Sequence, residues 1–171
     1  MILLNLHSLK ETFTSFQGSL SSAIVSQLLD SDIYKFQEDL RYTLQARKVA
    51  DYFELKGQLE INFHQVCGRC CDFKPRSLTK SFSIIIKLVS DQAISEDVDF
   101  YTVTSEVFNL ENFLLEQFVL ELNIFWLPQL QNGEVCSLCQ KVFKQEDQNF
   151  SRPLIDNSLK TQLKTKLKIS N

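Results

Sequence analysis

The sequence predicts an α+β fold built mainly on antiparallel β-sheet, arranged in meanders and hairpins, with one main helix. Long stretches alternate apolar and polar residues, as strands with one buried face do. A later segment repeats apolar residues at three- and four-residue steps, which is typical of a helix. With 171 residues, 44% hydrophobic and 23% charged, the chain has the size and composition of one folded domain.

Three stretches are predicted to pair as an antiparallel meander. The clearest runs from Tyr52 to Val66, with Gly57 on its apolar face. A second alternation, from Leu78 to Leu88, should pair with it as a hairpin. Upstream, Leu40 to Ala46 predicts another strand before a break near Arg47 to Ala50.

The other segments give weaker patterns. Residues 2–6 suggest a first strand, whereas Ser8 to Leu29 has no decisive period. The connection from Cys67 to Arg76 is longer than usual hairpin turns, so we expect something other than turn chemistry to organise it. Ser90 to Asp99 is acidic and is predicted to loop through solvent, and Phe100 to Val103 is predicted to be a short strand.

The main helix is predicted to begin at Asn109, whose side chain can cap it. It should end before Pro128, because proline lacks an amide hydrogen and disfavours a helical residue before it. The apolar residues that define its buried face are Leu110, Phe113, Leu114, Phe118 and Leu122.

Charge divides the chain into a predicted domain, residues 1–150, and a basic tail, residues 151–171. The tail carries a net charge of +4, so the rest must carry −7 for the total of −3. An acidic body disfavours a broad RNA-binding face, because phosphate is repelled. The tail, a candidate short amphipathic helix, therefore supplies the predicted RNA contacts, which are Lys160, Lys164, Lys166 and Lys168.

No membrane partner is expected. The longest apolar candidate, from Phe113 to Leu127, contains Glu116 and Glu121 and so lacks the roughly 18 uncharged residues of a membrane span. The first residues have neither the basic start nor the cleavage site of a secretory signal. We therefore expect a cytoplasmic protein.

Two Cys-x-x-Cys units predict a pair of zinc knuckles. Cys67 and Cys70 form the first and Cys136 and Cys139 the second. Two thiolates three positions apart can bind one ion, and two such units complete the tetrahedron that Zn²⁺ prefers. The two units lie far apart in sequence, so a structural zinc ion would fasten distant parts of the fold together.

Other readings of the cysteines stay open. A thiol oxidoreductase would place its Cys-x-x-Cys at a helix start within a βαβ pattern, and neither unit has that setting. The thiols could instead be reduced and pack as small apolar side chains. Cys71 could replace Cys70 as a ligand, although the three-residue step that recurs in the second unit favours Cys70.

The order of these motifs resembles the YceD family of large ribosomal RNA accumulation proteins. The similarity covers roughly residues 45–159: the strands around the first Cys-x-x-Cys, an acidic loop, a helix and a second Cys-x-x-Cys. Glu121-Leu-Asn-Ile-Phe-Trp-Leu-Pro128 is similar to the family's Glu-then-Leu-Pro segment, and Arg152-Pro153-Leu154 with Leu159 to its C-terminal motif.

The resemblance implies a non-enzymatic ribosome biogenesis factor that supports accumulation, processing or stability of large-subunit (23S) ribosomal RNA. Its partner would be a ribosome precursor, ribosomal RNA or a ribosome-maturation protein. The alternative is a zinc-stapled protein-interaction adaptor unrelated to ribosomes. No catalytic constellation or phosphate-binding loop is recognisable, so neither an enzyme nor a small-molecule substrate is expected.

Two further residues are candidate partner or RNA contacts. Arg69 lies between two predicted thiolates and can contact phosphate or a carboxylate, or simply offset the negative charge of a tetrathiolate zinc centre. Glu121 precedes the apolar exit segment and is a candidate partner contact or a local ion pair.

Overall fold

The structure is a computed structural model that describes residues 1–89, 100–132 and 135–142. The predicted α+β class is confirmed, because a mainly antiparallel sheet is combined with two α-helices. The predicted acidic loop, from Ser90 to Asp99, and the basic tail at 151–171 lie outside the described residues. No helix in the described part of the chain is long and apolar enough to cross a membrane.

The described residues form ten strands and two α-helices. The strands are β1 (Leu3–Asn5), β2 (Thr14–Leu20), β3 (Tyr34–Phe36), β4 (Leu40–Val49), β5 (Tyr52–Val66), β6 (Phe73–Leu88), β7 (Tyr101–Val103), β8 (Val107–Asn109), β9 (Leu130–Gln131) and β10 (Val135–Cys136). The helices are α1 (Ser22–Leu28) and α2 (Leu110–Glu121), and a 3-10 turn spans Leu6–Ser8.

The main sheet has the strand order β2-β4-β5-β6-β7, and β3 also pairs with β5. The predicted meander is confirmed, since β4, β5 and β6 pair antiparallel, with Tyr52 opposite Lys87 and Val66 opposite Phe73. However, β7 joins β6 in parallel, which the meander prediction did not include. Parallel pairing is possible because a long connection separates these two strands.

Two predicted boundaries were wrong. The connection after Cys67 ends at Asp72, not at Arg76, because β6 already begins at Phe73. Proline is tolerated in this strand because, among the described residues, only Ile86–Leu88 of β6 pair with β7, so Pro75 lies where β6 is an edge. Likewise β4 continues through the predicted break to Val49, and the chain turns at Ala50, whose φ is 50°.

The first 29 residues contain more structure than their sequence predicts. β1 forms where residues 2–6 suggest a strand, but it pairs with β8 in a separate two-stranded sheet. The stretch without a decisive period contains both β2 and α1. β2 buries only Leu20 among its seven residues, so its alternation is too weak to recognise. Ser21 caps α1 by accepting a hydrogen bond from the Ala23 amide at 3.3 Å.

Helix α2 begins as predicted. The Asn109 side chain accepts a hydrogen bond from the Asn112 amide at 3.0 Å. The helix ends at Glu121, where Leu122 is already extended. The prediction that it ends before Pro128 is confirmed, but the proline is too distant to cause the ending.

The core lies between α2 and one face of the main sheet. Phe113 of α2 meets Phe82 of β6 edge to face, with ring centroids 5.3 Å apart, and Phe118 meets Phe36 of β3 at 5.8 Å. On the opposite face, exposed serine, threonine and glutamine side chains face solvent. The first cysteine pair lies at the end of the β5–β6 hairpin, between Val66 and Phe73.

Candidate metal centre

The first Cys-x-x-Cys unit forms the turn between β5 and β6. The Cys71 amide donates to the Cys67 carbonyl at 2.9 Å, and the Cys67 amide donates to the Asp72 carbonyl at 3.0 Å. The Arg69 amide donates to the Cys67 sulfur at 3.4 Å. Cys71 has a φ of 59°, in the left-handed region. Backbone turn bonds, together with one amide directed at the Cys67 sulfur, therefore shape this connection, which is shorter than predicted.

The second unit forms the same turn. The Gln140 amide donates to the Cys136 carbonyl at 3.0 Å, and the Cys136 amide donates to the Lys141 carbonyl at 3.0 Å. Gln140, which corresponds to Cys71, has a φ of 57°. The amides of Leu138 and Cys139 lie near the Cys136 sulfur and lower its pKa. Two segments more than sixty residues apart thus fold into equivalent turns, each with amide groups aimed at its first sulfur.

The structure brings the two turns together through their thiols. The Cys67 thiol lies near that of Cys136, and the thiols of Cys70 and Cys136 lie near that of Cys139. Cys67 and Cys136 are fully buried, whereas Cys70 and Cys139 are half-buried. An ion pair crosses between equivalent positions of the two turns, with the Asp72 carboxylate 3.6 Å from the Lys141 ammonium.

The environment perturbs three ionisable groups at this junction. Burial pushes the pKa of Cys136 upward, but hydrogen bonds from the Cys139 and Leu138 amides and from neighbouring thiols outweigh it, so its pKa is lowered. Burial raises the pKa of Cys139. The nearby Lys141 ammonium, together with a hydrogen bond from the Cys70 thiol, lowers the pKa of Asp72.

The four predicted ligands lie near one another, in two turns that face each other. Among the residues described, no group of three or more His, Cys, Asp or Glu side chains is arranged so as to hold a metal ion. The donor set nevertheless has the chemistry that a zinc ion prefers, namely four sulfurs and amide groups that stabilise thiolates. Cys71 is exposed and takes no part in the thiol contacts, which favours Cys70 as the first unit's second sulfur.

The segment that follows α2 is fastened to the first turn. The Gly68 amide donates to the Trp126 carbonyl at 2.9 Å, and the Arg69 Nε donates to the Pro128 carbonyl at 3.3 Å. A side chain on Gly68 would meet Leu127, whose Cδ2 lies 3.0 Å from the position a Cβ would take. Glycine therefore lets this segment lie directly against the turn.

Of the predicted partner or RNA contacts, Arg69 and Glu121 have contacts within the chain. Arg69 contacts the Pro128 carbonyl, and the Glu121 carboxylate pairs with the Lys80 ammonium at 2.6 Å. These contacts within the chain do not test whether Arg69 or Glu121 also binds an external partner. The predicted contacts Lys160, Lys164, Lys166 and Lys168 lie outside the described residues.

Sequence reasoning missed a buried polar network beside the first turn. Gln65 is fully buried, and its amide donates to the Asn123 carbonyl and accepts from Arg76. The Arg76 guanidinium lies 5.5 Å from the centre of the Trp126 ring. Gln65 could have indicated this network from the sequence, because it is a polar residue at a position where the alternation of β5 places apolar side chains.

No model of a protein family, no curated protein and no solved structure matches this chain. The similarity to the YceD family therefore stays a prediction from the order of motifs. What the structure adds is that the two cysteine units form equivalent turns that lie next to each other.

Proposed function

We propose that Cys67, Cys70, Cys136 and Cys139 bind one structural Zn²⁺. The observation that carries this proposal is the equivalence of the two turns, which share backbone hydrogen bonds and a left-handed residue after the second cysteine. Zinc requires thiolates, and the amides near the Cys136 sulfur favour that form by lowering its pKa. The four thiols would hold the ion as thiolates and would release their protons to solvent on binding it.

We further propose that the chain is a cytoplasmic, non-enzymatic ribosome biogenesis factor. It would support accumulation, processing or stability of 23S ribosomal RNA by binding a ribosome precursor or a maturation protein. Support comes from the motif order that resembles the YceD family. Both Cys-x-x-Cys units lie in turns and not at helix starts, a setting that disfavours thiol oxidoreductase chemistry.

Metal analysis tests the zinc proposal directly. Protein purified without chelators should contain about one zinc per chain, and Cys70→Ser or Cys139→Ser should lower this content severalfold, because three thiolates hold zinc more weakly than four. Exposed Ser81→Ala on the far sheet face is the matched control and should keep its zinc. A native protein without zinc contradicts the proposal.

Sedimentation separates the ribosomal function from the alternative adaptor. A ribosome biogenesis factor should sediment with precursors of the large subunit, and its deletion should lower the amount of 23S RNA relative to 16S RNA. An adaptor unrelated to ribosomes should do neither. Normal RNA levels in the deletion strain, together with absence from precursor fractions, would reject the ribosomal proposal.

A further inference from the structure

Strand β2 forms one edge of the main sheet. It pairs with β4 along its whole length, from Thr14 opposite Ala46 to Leu20 opposite Leu40, and among the described residues no strand pairs with its other side. Because each antiparallel ladder uses every second residue of a strand, the remaining amides and carbonyls of β2 point away from β4. We call this outward side of Thr14–Leu20 the β2 edge. It offers a further strand about 23 Å of backbone to pair with, the length of seven extended residues.

The β2 edge lacks the features that usually prevent an edge strand from pairing. Its seven residues include no charged residue and no proline. Strand β6 is also without a strand partner on one side, from Phe73 to Ile85 among the described residues, but there it carries Lys74, Pro75 and Arg76. Charged residues and proline on an edge strand oppose the addition of another strand. The β6 edge is therefore protected, whereas the β2 edge is open to pairing.

The side chains of β2 define what can pair with it. Phe16 and Leu20 lie on the face toward the core, where Leu20 is buried and Phe16 is half-buried. Ser15, Gln17 and Ser19 are exposed on the opposite face. A strand added at the β2 edge must alternate in the same way to continue both faces of the sheet. The edge therefore fits an extended segment with one apolar face and one polar, uncharged face.

A second copy of β2 meets this requirement. Two β2 strands related by a twofold axis at Gln17 run antiparallel, with Gln17 opposite the partner's Gln17 and Phe16 opposite the partner's Gly18. Ser15 then pairs with the partner's Ser19 on the polar face. Both members of each pair lie on the same face, so the apolar and polar faces continue across the axis. The β2 sequence is thus complementary to itself.

Gly18 lets an aromatic side chain of β4 reach the β2 edge. Tyr42 is paired with Gly18, and the Tyr42 Oη lies 2.6 Å from the position that a Cβ on Gly18 would take. The Tyr42 ring therefore extends over Gly18 on the face that also carries Phe16. Side chains directly opposite or diagonal across paired strands are close enough to touch. In the twofold arrangement the partner's Phe16 would pack beside the hydroxyl end of Tyr42.

We propose that the chain dimerises through the β2 edge, so that two copies form one continuous antiparallel sheet across a twofold axis at Gln17. Two uncharged strands meet without repulsion, whereas a charged peptide would find no opposite charge on β2. Each copy contributes one strand of seven residues, so the dimer should be reversible and concentration-dependent, as small interfaces are. This proposal depends neither on the metal centre nor on the ribosomal function.

Sedimentation equilibrium of the full-length chain tests the proposal. The measured mass should rise from that of one chain toward that of two as the protein concentration increases. Gln17→Lys should weaken dimerisation at least tenfold, because two like charges would lie opposite each other at the axis, and Gln17→Glu should do the same. An equimolar mixture of the two variants should dimerise at least as strongly as the parent, because opposite charges then meet.

Ser81→Lys is the matched control. Ser81 is exposed and lies in the same row across the sheet as Gln17, through Thr43 and Gln58, but β4 and β5 separate it from β2. This variant should dimerise as the parent does. A chain that stays monomeric at every concentration would overturn the proposal. So would a dimer that survives Gln17→Lys, an equal loss in the control, or a mixture of the two Gln17 variants that stays monomeric.

Amide hydrogen exchange tests whether the two β2 strands pair. Every second amide of β2 should exchange more slowly as the parent chain dimerises, and Gln17→Lys at the same concentration should remove this protection. A dimer without the added protection would use another surface and would overturn the proposal. Protection of the same amides in the monomer would also overturn it, because another segment of the same chain would then occupy the β2 edge.

Discussion

Cys71 lies next to a proposed zinc ligand, but backbone conformation separates it from the thiol cluster. Its φ of 59° turns the chain back toward β6, and its side chain is exposed. The left-handed region is unfavourable for residues with a Cβ and favourable for glycine. The turn therefore requires a left-handed backbone conformation at Cys71 and makes no use of its thiol.

Substitutions at Cys70 and Cys71 should have opposite effects. Cys70→Ser should lose zinc, whereas Cys71→Gly should keep zinc and raise the free energy of unfolding by up to about 1 kcal/mol, because glycine relieves the left-handed strain. Gln140→Gly, at the equivalent position of the second turn, is the parallel case. Chemical denaturation with zinc analysis measures both quantities. Loss of zinc in Cys71→Gly would identify Cys71 as a ligand.

Tyr34 carries a buried hydroxyl without a hydrogen-bond partner among the described residues. Burial raises its pKa to about 12, although the nearby Arg76 charge acts in the opposite direction. An unfolded tyrosine ionises near pH 10. The folded state therefore keeps the stability linked to this group below pH 10 and loses it as pH rises toward 12.

Tyr34→Phe should remove this alkaline sensitivity. At pH 7 the variant should be as stable as the parent or more stable by up to about 1 kcal/mol, because an unsatisfied buried hydroxyl is lost. Above pH 10 the parent should lose up to about 1.4 kcal/mol per pH unit relative to the variant. Denaturant unfolding from pH 8 to 11 measures the difference, with half-buried Tyr52→Phe as control. Parallel pH profiles for parent and Tyr34→Phe would contradict this account.

At the scale of the element, Gly57 determines how closely the central strands approach. It lies opposite both Leu44 of β4 and Phe82 of β6. A Cβ on Gly57 would lie against the Thr43 carbonyl, 2.8 Å from the Phe82 ring and 2.9 Å from the Leu44 Cβ. The glycine in this strand therefore marks close packing of neighbouring groups, as glycines inside strands often do.

Gly57→Ala should lower the free energy of unfolding by about 1–3 kcal/mol, because backbone and ring atoms must shift to admit the methyl group. Gly18→Ala on the edge strand β2 is the control. There the new Cβ would meet the hydroxyl end of the Tyr42 side chain, which can shift at smaller cost than the backbone carbonyl that Gly57 faces. Thermal and denaturant unfolding would show the difference. An equal effect at both positions would refute the steric explanation.

At the scale of the whole molecule, the thiol cluster joins two parts that otherwise have few connections. Among the described residues, β9 and β10 pair only with each other, and Val135 also bridges to Val142. Apart from its chain connection, the hairpin lies against the body at the neighbouring thiols and at the Asp72–Lys141 ion pair. The Ser137 amide also donates to the Gln129 carbonyl at 3.1 Å. An exposed ion pair contributes little on its own.

Removal of the proposed zinc ion should therefore open the hairpin and leave the main sheet folded. With a chelator, amide hydrogen exchange should accelerate at Cys136 and Gln140, whose protecting bonds belong to the second turn. Amides in the middle of β5, such as Leu59, should stay protected, because they lie between β4 and β6. Simultaneous loss of protection at all of these amides would show that the metal stabilises the whole fold.

The amino-acid sequence by itself determined the strands and the helix that can be recognised from a short periodic pattern of residues. Alternation predicts β4, β5 and β6 because each has one face against the core, and the Asn109 cap with its apolar repeat predicts α2. The Cys-x-x-Cys spacing likewise identifies the four thiols that meet. In these segments the types and spacing of neighbouring residues already match the conformation that they adopt in the fold.

Tertiary structure alone decided the remainder. β2 and α1 bury one residue each, so their conformations depend on neighbours and not on periodicity. The parallel pairing of β7, the equivalence of the two turns and the bond between Gln65 and Asn123 join residues remote in sequence. Such contacts leave no periodic trace, because their free energy arises only when the folded chain brings the partners together.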